Sequence, residues 1–151
     1  MGDKTESSIV IEATPAAIMA VIADLVAYPQ WSDGISSVEV LSLYEEDSRP
    51  ADARFSLASG PIKDTYELEY DWDDDKSVSW TLTKAEMLTA MDGSYTLTEN
   101  GDGTTTVHYQ LAVDVKIPMI GMIKRKAERV IVDTALKGLK KRVESSSPGS
   151  V

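Results

Sequence analysis

The chain has 151 residues, 42% apolar and 26% charged, with a formal net charge of -10; this is the composition of one globular domain large enough to bury a core. It holds no cysteine and a single histidine, His108, which excludes disulfides, thiolate or multi-histidine metal sites and cysteine nucleophiles. The charge is uneven, with eight Lys/Arg against three Asp/Glu from Met119 to Glu144 and seven against 22 elsewhere; so acidic a body speaks against nucleic-acid binding.

The N-terminal MGDKTESS lacks the apolar region of a signal peptide, and no apolar run reaches the roughly 18 residues of a membrane span. A cytoplasmic protein without stable membrane insertion is expected. Ser7 to Glu12 reads as a short strand. Thr14-Pro15 then opens a helix, with threonine as N-cap and proline at the first helical position. Ile18, Val21, Ile22 and Leu25 give that helix one apolar face. Pro29 breaks it, and Tyr28 to Ser32 forms at most a second short helix or elbow before the Asp33-Gly34 turn.

From there to Pro118 the period changes to two. Val38 to Leu43 is apolar-rich, and Ala53, Phe55 and Leu57 alternate with Arg54, Ser56 and Ala58 before the Gly60-Pro61 turn. In Thr65 to Trp72, Tyr66, Leu68, Tyr70 and Trp72 share one face and Thr65, Glu67, Glu69 and Asp71 the other. Val78, Trp80 and Leu82, then Met91, Gly93, Tyr95 and Leu97, repeat the pattern across the acidic turn Asp73 to Lys76. Asn100-Gly101-Asp102-Gly103 is a hairpin turn. The last strand carries Val107, Tyr109, Leu111, Val113, Val115 and Ile117 on one side, and His108, Gln110, Asp114 and Lys116 on the other.

Met119 to Val143 reads as one helix of about 25 residues, roughly 37 Å long. Ile120, Ile123, Ala127, Val130, Ile131, Thr134 and Gly138 form one stripe, and Val132, Leu136, Leu139 and Val143 add a second over the latter half. Ala127, Thr134 and Gly138 are small, so this helix either takes a close backbone approach there or leaves room for something else. The expected fold is α+β: a curved antiparallel sheet of about seven strands, dry on one side, wrapped around the long C-terminal helix, with two short N-terminal helices. Residues 1–144 are expected to form a single domain and 145–151 a disordered tail.

Three segments carry a family resemblance. TPAAIMAVIADLVAYPQW has the helix entry and the Tyr28-Pro29-x-Trp31 elbow, DTYELEYDW is the central strand, and IPMIGMIKRKAERVIVDTALKGLKKRVE closes the chain. Over residues 5 to 144 the sequence resembles the helix-grip, START-like (SRPBCC) superfamily, in its polyketide cyclase/dehydrase and lipid-transport branch. That resemblance implies a hydrophobic ligand held between sheet and helix, on a scaffold that hosts carriers, enzymes and interaction proteins alike.

The dry face is rich in amphipathic rings, Tyr66, Tyr70, Trp72, Trp80, Tyr95 and Tyr109, which suit an apolar pocket with a few polar anchors. The expected lining is Trp31, Phe55, Tyr66, Leu68, Tyr70, Trp80, Met91, Tyr95, Tyr109, Met119, Ile123 and Ala127. Met87 and Met122 are further candidates for a plastic wall. The mouth is expected where Ile117 to Ile123 meets the elbow and the Ser59-Gly60-Pro61 turn.

Catalytic candidates are few. Asp64 shares parity with Tyr66, Arg54 falls on the wet side unless a bulge reverses it, and His108 faces outward with Gln110. The first reading is binding or transport of a lipid, polyketide or isoprenoid-like molecule, which calls for an enclosed space above about 300 Å³. An aromatase/cyclase- or dehydratase-type enzyme using Asp64, Arg54 or Tyr66 stays open, as does an interaction protein working through the basic helix. No cofactor or metal is expected, and the protein is read as a monomer or weak dimer.

Overall fold

The computed structural model describes residues 4–32, 34–59, 62–116 and 121–146. Seven strands form one antiparallel sheet: β1 (Thr5–Ile11), β2 (Ile35–Leu43), β3 (Pro50–Ser59), β4 (Ile62–Asp73), β5 (Ser77–Lys84), β6 (Leu88–Glu99) and β7 (Thr105–Val115). The spatial order is β1-β7-β6-β5-β4-β3-β2, so five consecutive hairpins lead from β2 to β7 and β1 closes on β7. The sheet does not close into a barrel; β1 and β2 are its edges.

Two helices and an elbow complete the α+β, helix-grip architecture. Helix α1 (Pro15–Ala23) starts as its sequence dictates: the Thr14 hydroxyl accepts from the Ala17 N–H at 3.2 Å, and Pro15 occupies the first turn. Ile18, Met19 and Ile22 are fully buried. The elbow, Leu25–Gln30, is a 3-10 helix that holds Pro29 inside it, and the Tyr28 hydroxyl donates to the Ile22 carbonyl at 2.5 Å. In the β6–β7 hairpin, Gly101 and Gly103 take φ of +85° and +88°, the left-handed region that glycine enters without a Cβ penalty. The acidic turn between β4 and β5 is anchored on the outside, where the Arg49 guanidinium meets the Asp75 carboxylate at 2.7 Å.

Helix α2 (Gly121–Ser146) covers the dry side of the sheet. Its second half packs as the apolar stripe requires, with Val132, Leu136, Leu139 and Val143 between 0 and 2% exposed. The stripe expected along the first half is displaced. Val130 is 54% exposed, while Glu128 and Ala135 are buried. One residue along a helix is about 100° of rotation, so 128, 132, 136 and 139 form the core-facing row and 127, 130 and 134 flank it. Ser145 and Ser146, assigned to a tail by the sequence, continue the helix. Met119 and Ile120 lie outside the described residues.

Two polar features fix α2 to the sheet. Glu128, only 2% exposed, accepts from the Thr5 hydroxyl and from the Val113 N–H, each at 2.8 Å, and so joins the helix to β1 and β7 at once. Near the C-terminus Glu144 accepts from the Glu12 N–H at 3.0 Å and from Lys140, which also donates to the Val10 carbonyl. A buried donor left without an acceptor is destabilising by about 1–3 kcal/mol. Glu128→Ala strands two of them and is expected to lose about 3 kcal/mol, whereas Glu128→Gln, which keeps one acceptor, loses about 1 kcal/mol. Urea denaturation of the two variants checks this; equal losses would contradict the bridging role.

Candidate functional site: an aromatic cavity under the elbow

Cross-strand registry assembles the aromatic face. Phe55 sits opposite Tyr66, Tyr70 opposite Trp80, and Tyr95 opposite Tyr109. Side chains at such positions lie on the same side of the sheet and touch. The Phe55 and Tyr66 rings stack at 5.5 Å with planes 8° apart, and Tyr95 and Tyr109 have centroids 4.5 Å apart. Trp80 contacts Tyr70, Tyr95 and Tyr109, joining the pairs into one network. Gly93 makes this possible. A Cβ there would lie 2.4 Å from the Trp80 indole, so the glycine is the floor on which the ring lies flat.

The network lines a partly open cavity of about 90 Å³. Nine of the residues expected from the sequence meet around it: Trp31, Phe55, Tyr66, Leu68, Tyr70, Trp80, Met91, Tyr95 and Tyr109. Met119 and the side chain of Ile123 lie outside the described residues, as do Met122's side chain and the turn residues Gly60 and Pro61. Ala127 is not among the lining residues; the helix contributes Ile131 and Ala135 instead, a consequence of the same rotation that exposes Val130. Trp72 stands beyond the cavity with its indole N–H on the Pro50 carbonyl at 2.6 Å. Tyr28, Ser32, Ile35, Leu57 and Leu111 complete the wall. Leu57 and Leu111 carry the inward parity of their strands and were readable on that ground; Ser32 and Ile35 follow only from where the elbow docks.

The elbow docks on α2 through backbone. A Cβ on Gly138 would fall 2.2 Å from the Trp31 carbonyl oxygen, so the small residue serves close approach. That contact sets the Trp31 ring over the cavity, edge-on to Tyr28 at 4.8 Å. Trp31 Nε1 is fully enclosed and has no hydrogen-bond partner among the described residues, an arrangement that is destabilising by about 1–3 kcal/mol.

Burial holds the phenols of Tyr28, Tyr66, Tyr70, Tyr95 and Tyr109 above the ordinary tyrosine value, and for all but Tyr109 neighbouring phenols or acidic side chains push in the same direction. They are neutral hydrogen-bonding groups at physiological pH, and neither strong acids nor ready bases. Tyr28 is spent on Ile22. The other four residues are 3–6% exposed, and none of their hydroxyls is a fully enclosed atom without a partner, in contrast to Trp31 Nε1.

The remaining polar candidates stand apart. Asp64 is 7% exposed, but its carboxylate accepts from the Glu86, Met87 and Leu88 N–H groups at 3.2, 2.9 and 2.9 Å. Its burial alone would raise its pKa; the backbone hydrogen bonds from Leu88, Met87, Glu86 and Thr65 outweigh that and hold it below 3.8. Asp64 therefore clamps the β5–β6 connection and does not line the cavity. Arg54 stays on the wet face, in a ladder with its cross-strand neighbours Glu39 at 3.0 Å and Glu67 at 3.1 Å. No bulge turns it inward. His108 is also outside, between the Ser8 hydroxyl at 2.7 Å and Glu6 at 2.8 Å. Among the described residues no three metal-ligating side chains cluster, and no helix is long and apolar enough to cross a membrane.

Two variants check this geometry. Gly93→Ala should drive the Trp80 ring into the cavity and lower stability by about 1–3 kcal/mol, with the indole fluorescence maximum shifting; an unshifted spectrum would contradict the packing. Asp64 has a folded pKa below its unfolded one, so its contribution is complete above pH 3.8 and is lost as the pH falls through the folded value. Asp64→Asn should be destabilised by about 2 kcal/mol at neutral pH and should lose part of the wild-type steepness of acid unfolding. Parallel acid-unfolding curves would contradict the clamp.

Comparison with known proteins agrees with this architecture. No curated protein sequence matches the chain. A START superfamily protein from Mycobacterium smegmatis superposes with a TM-score of 0.87 at 22% identity, covering 95% of this chain and 99% of its own. A structure from Thermus thermophilus gives 0.81 at 22% identity, over 96% and 99% of the two chains. The ZhuI aromatase/cyclase from Streptomyces sp. R1128 gives 0.80 at 12% identity, over 99% and 98%. These likenesses establish the fold. The family model described as polyketide cyclase / dehydrase and lipid transport matches residues 3–144, and with nearly the whole chain matched the protein belongs to that family.

Proposed function

We propose that the protein binds a hydrophobic small molecule of lipid, polyketide or isoprenoid type between the sheet and helix α2. The observation that carries this reading is the convergence of four buried tyrosine side chains, Tyr66, Tyr70, Tyr95 and Tyr109, around one largely apolar space. Phenol hydroxyls around such a space give a bound ligand's carbonyl or hydroxyl polar partners within apolar walls.

Size argues against a wide preformed pocket. The partly open 90 Å³ is below the roughly 150 Å³ of a cavity that takes up benzene, and it misses the enclosed space above roughly 300 Å³ expected from the sequence. Binding therefore requires the wall to yield. The movable parts are the flexible thioether of Met91 and the half-buried Trp31 and Ile131.

The aromatase/cyclase- or dehydratase-type alternative draws on the family and on the fold shared with ZhuI. It has weaker chemical support, because Asp64 and Arg54 are engaged elsewhere and the cavity phenols resist ionisation. Binding is the better-supported function.

Fluorescence titration with N-phenyl-1-naphthylamine tests it. Wild-type protein should show saturable one-to-one binding, and Ala135→Leu, which fills the cavity from the helix side, should weaken it about tenfold or more, equivalent to about 1.4 kcal/mol. Val130→Thr, on the exposed side of the same helix, should bind as wild type. Non-saturable uptake, or equal affinity in Ala135→Leu, would overturn the reading.

A further inference from the structure

A second concavity lies on the other side of the elbow. Gln30, Trp31, Thr134, Lys137, Gly138, Lys141, Arg142 and Ser145 line a surface groove of about 550 Å³. Its helix residues recur at spacings of three and four, so they form one stripe of α2. In a chain of net charge -10, this groove has three cationic side chains and, among its described lining residues, no carboxylate. Lys137 and Lys141 are exposed to solvent.

The groove and the aromatic cavity share one described residue, Trp31. Along α2 the two linings alternate: Ile131 and Ala135 face the cavity, and Thr134 and Gly138 the groove. Trp31 is thus the partition between an apolar space and a basic one. It is a poorly satisfied partition, because its indole N–H is enclosed without a partner among the described residues. A displaced ring would give that N–H access to water or a ligand.

We propose that the two form one site for an amphipathic anion: an apolar ring or chain in the aromatic cavity, with a carboxylate, sulfonate or phosphate end group held by Lys137 and Lys141, and Trp31 displaced between them. This rests on the binding reading above and adds the charge of the ligand. It also gives the basic half of α2 a role beyond complementing the acidic sheet.

Two probes that differ by a sulfonate separate the claims: 8-anilinonaphthalene-1-sulfonate and the uncharged N-phenyl-1-naphthylamine. Partly exposed ion pairs contribute a few tenths to about 1 kcal/mol each, so the full-length wild type should favour the sulfonate about tenfold. In Lys137→Gln/Lys141→Gln the ratio of the two affinities should fall to near one. A ratio near one in the wild type, or one that survives the double substitution, would overturn the anionic end group while leaving the cavity reading intact. If neither probe binds the wild type, both readings fall. Trp31→Ala should accelerate stopped-flow association of the neutral probe about tenfold, by removal of a partition worth about 1.4 kcal/mol; unchanged association would overturn the role of Trp31. Circular dichroism and thermal melts establish that each variant is folded.

Discussion

Everything in this fold depends on one helix covering one dry sheet face. Six of the seven strands follow one another by hairpins, so no crossover helix is available to bury their apolar side, and α1 is only nine residues long. Helix α2 does most of that work with Val132, Leu136, Leu139 and Val143. Its latter half cannot move away without exposing four side chains, each worth roughly 1.5–3 kcal/mol in buried apolar surface. Glu128 adds direction to that adhesion, because its two acceptor bonds fix the helix to β1 and β7 at a definite rotation.

The cavity follows from where this covering stops. Toward the middle of α2 the lining turns to Ile131 and Ala135, too small to fill the space above the rings. The rings are held from behind by registry and by the absence of a Cβ at Gly93, and from above by an elbow seated on Gly138. Two glycines thus carry opposite sides of the same site. One lets a ring lie against the sheet, and the other lets backbone lie against the helix.

Most of this architecture is legible in the sequence because period-two alternation and helix signals are local. The strand around Tyr66 to Trp72 and the Thr14-Pro15 entry fall where residue chemistry places them, but the first helix ends at Ala23 rather than at Pro29, which lies inside the Leu25–Gln30 elbow. The inward rings were equally readable, since parity along a strand fixes the face. The phase of the first half of α2 was not. Rows through Ala127 and through Glu128 both offer helical spacing, and a carboxylate among Lys and Arg reads as surface unless its partners on β1 and β7 are known. Asp64 is similar, for its three donors lie 22 to 24 residues away. Cavity volume is less readable still, because it depends on how far rings lean together, a tertiary quantity that composition does not encode.

The central claim is that this aromatic space admits a ligand by moving its wall at Trp31. The most direct test is a crystal structure of the full-length protein grown with 8-anilinonaphthalene-1-sulfonate. The predicted result is density for the naphthalene rings among Tyr66, Tyr70, Trp80 and Tyr109, with the Trp31 ring displaced and the sulfonate beside Lys137 and Lys141. A probe bound only on the outer face of the sheet, with Trp31 in place and the cavity unchanged at about 90 Å³, would contradict it.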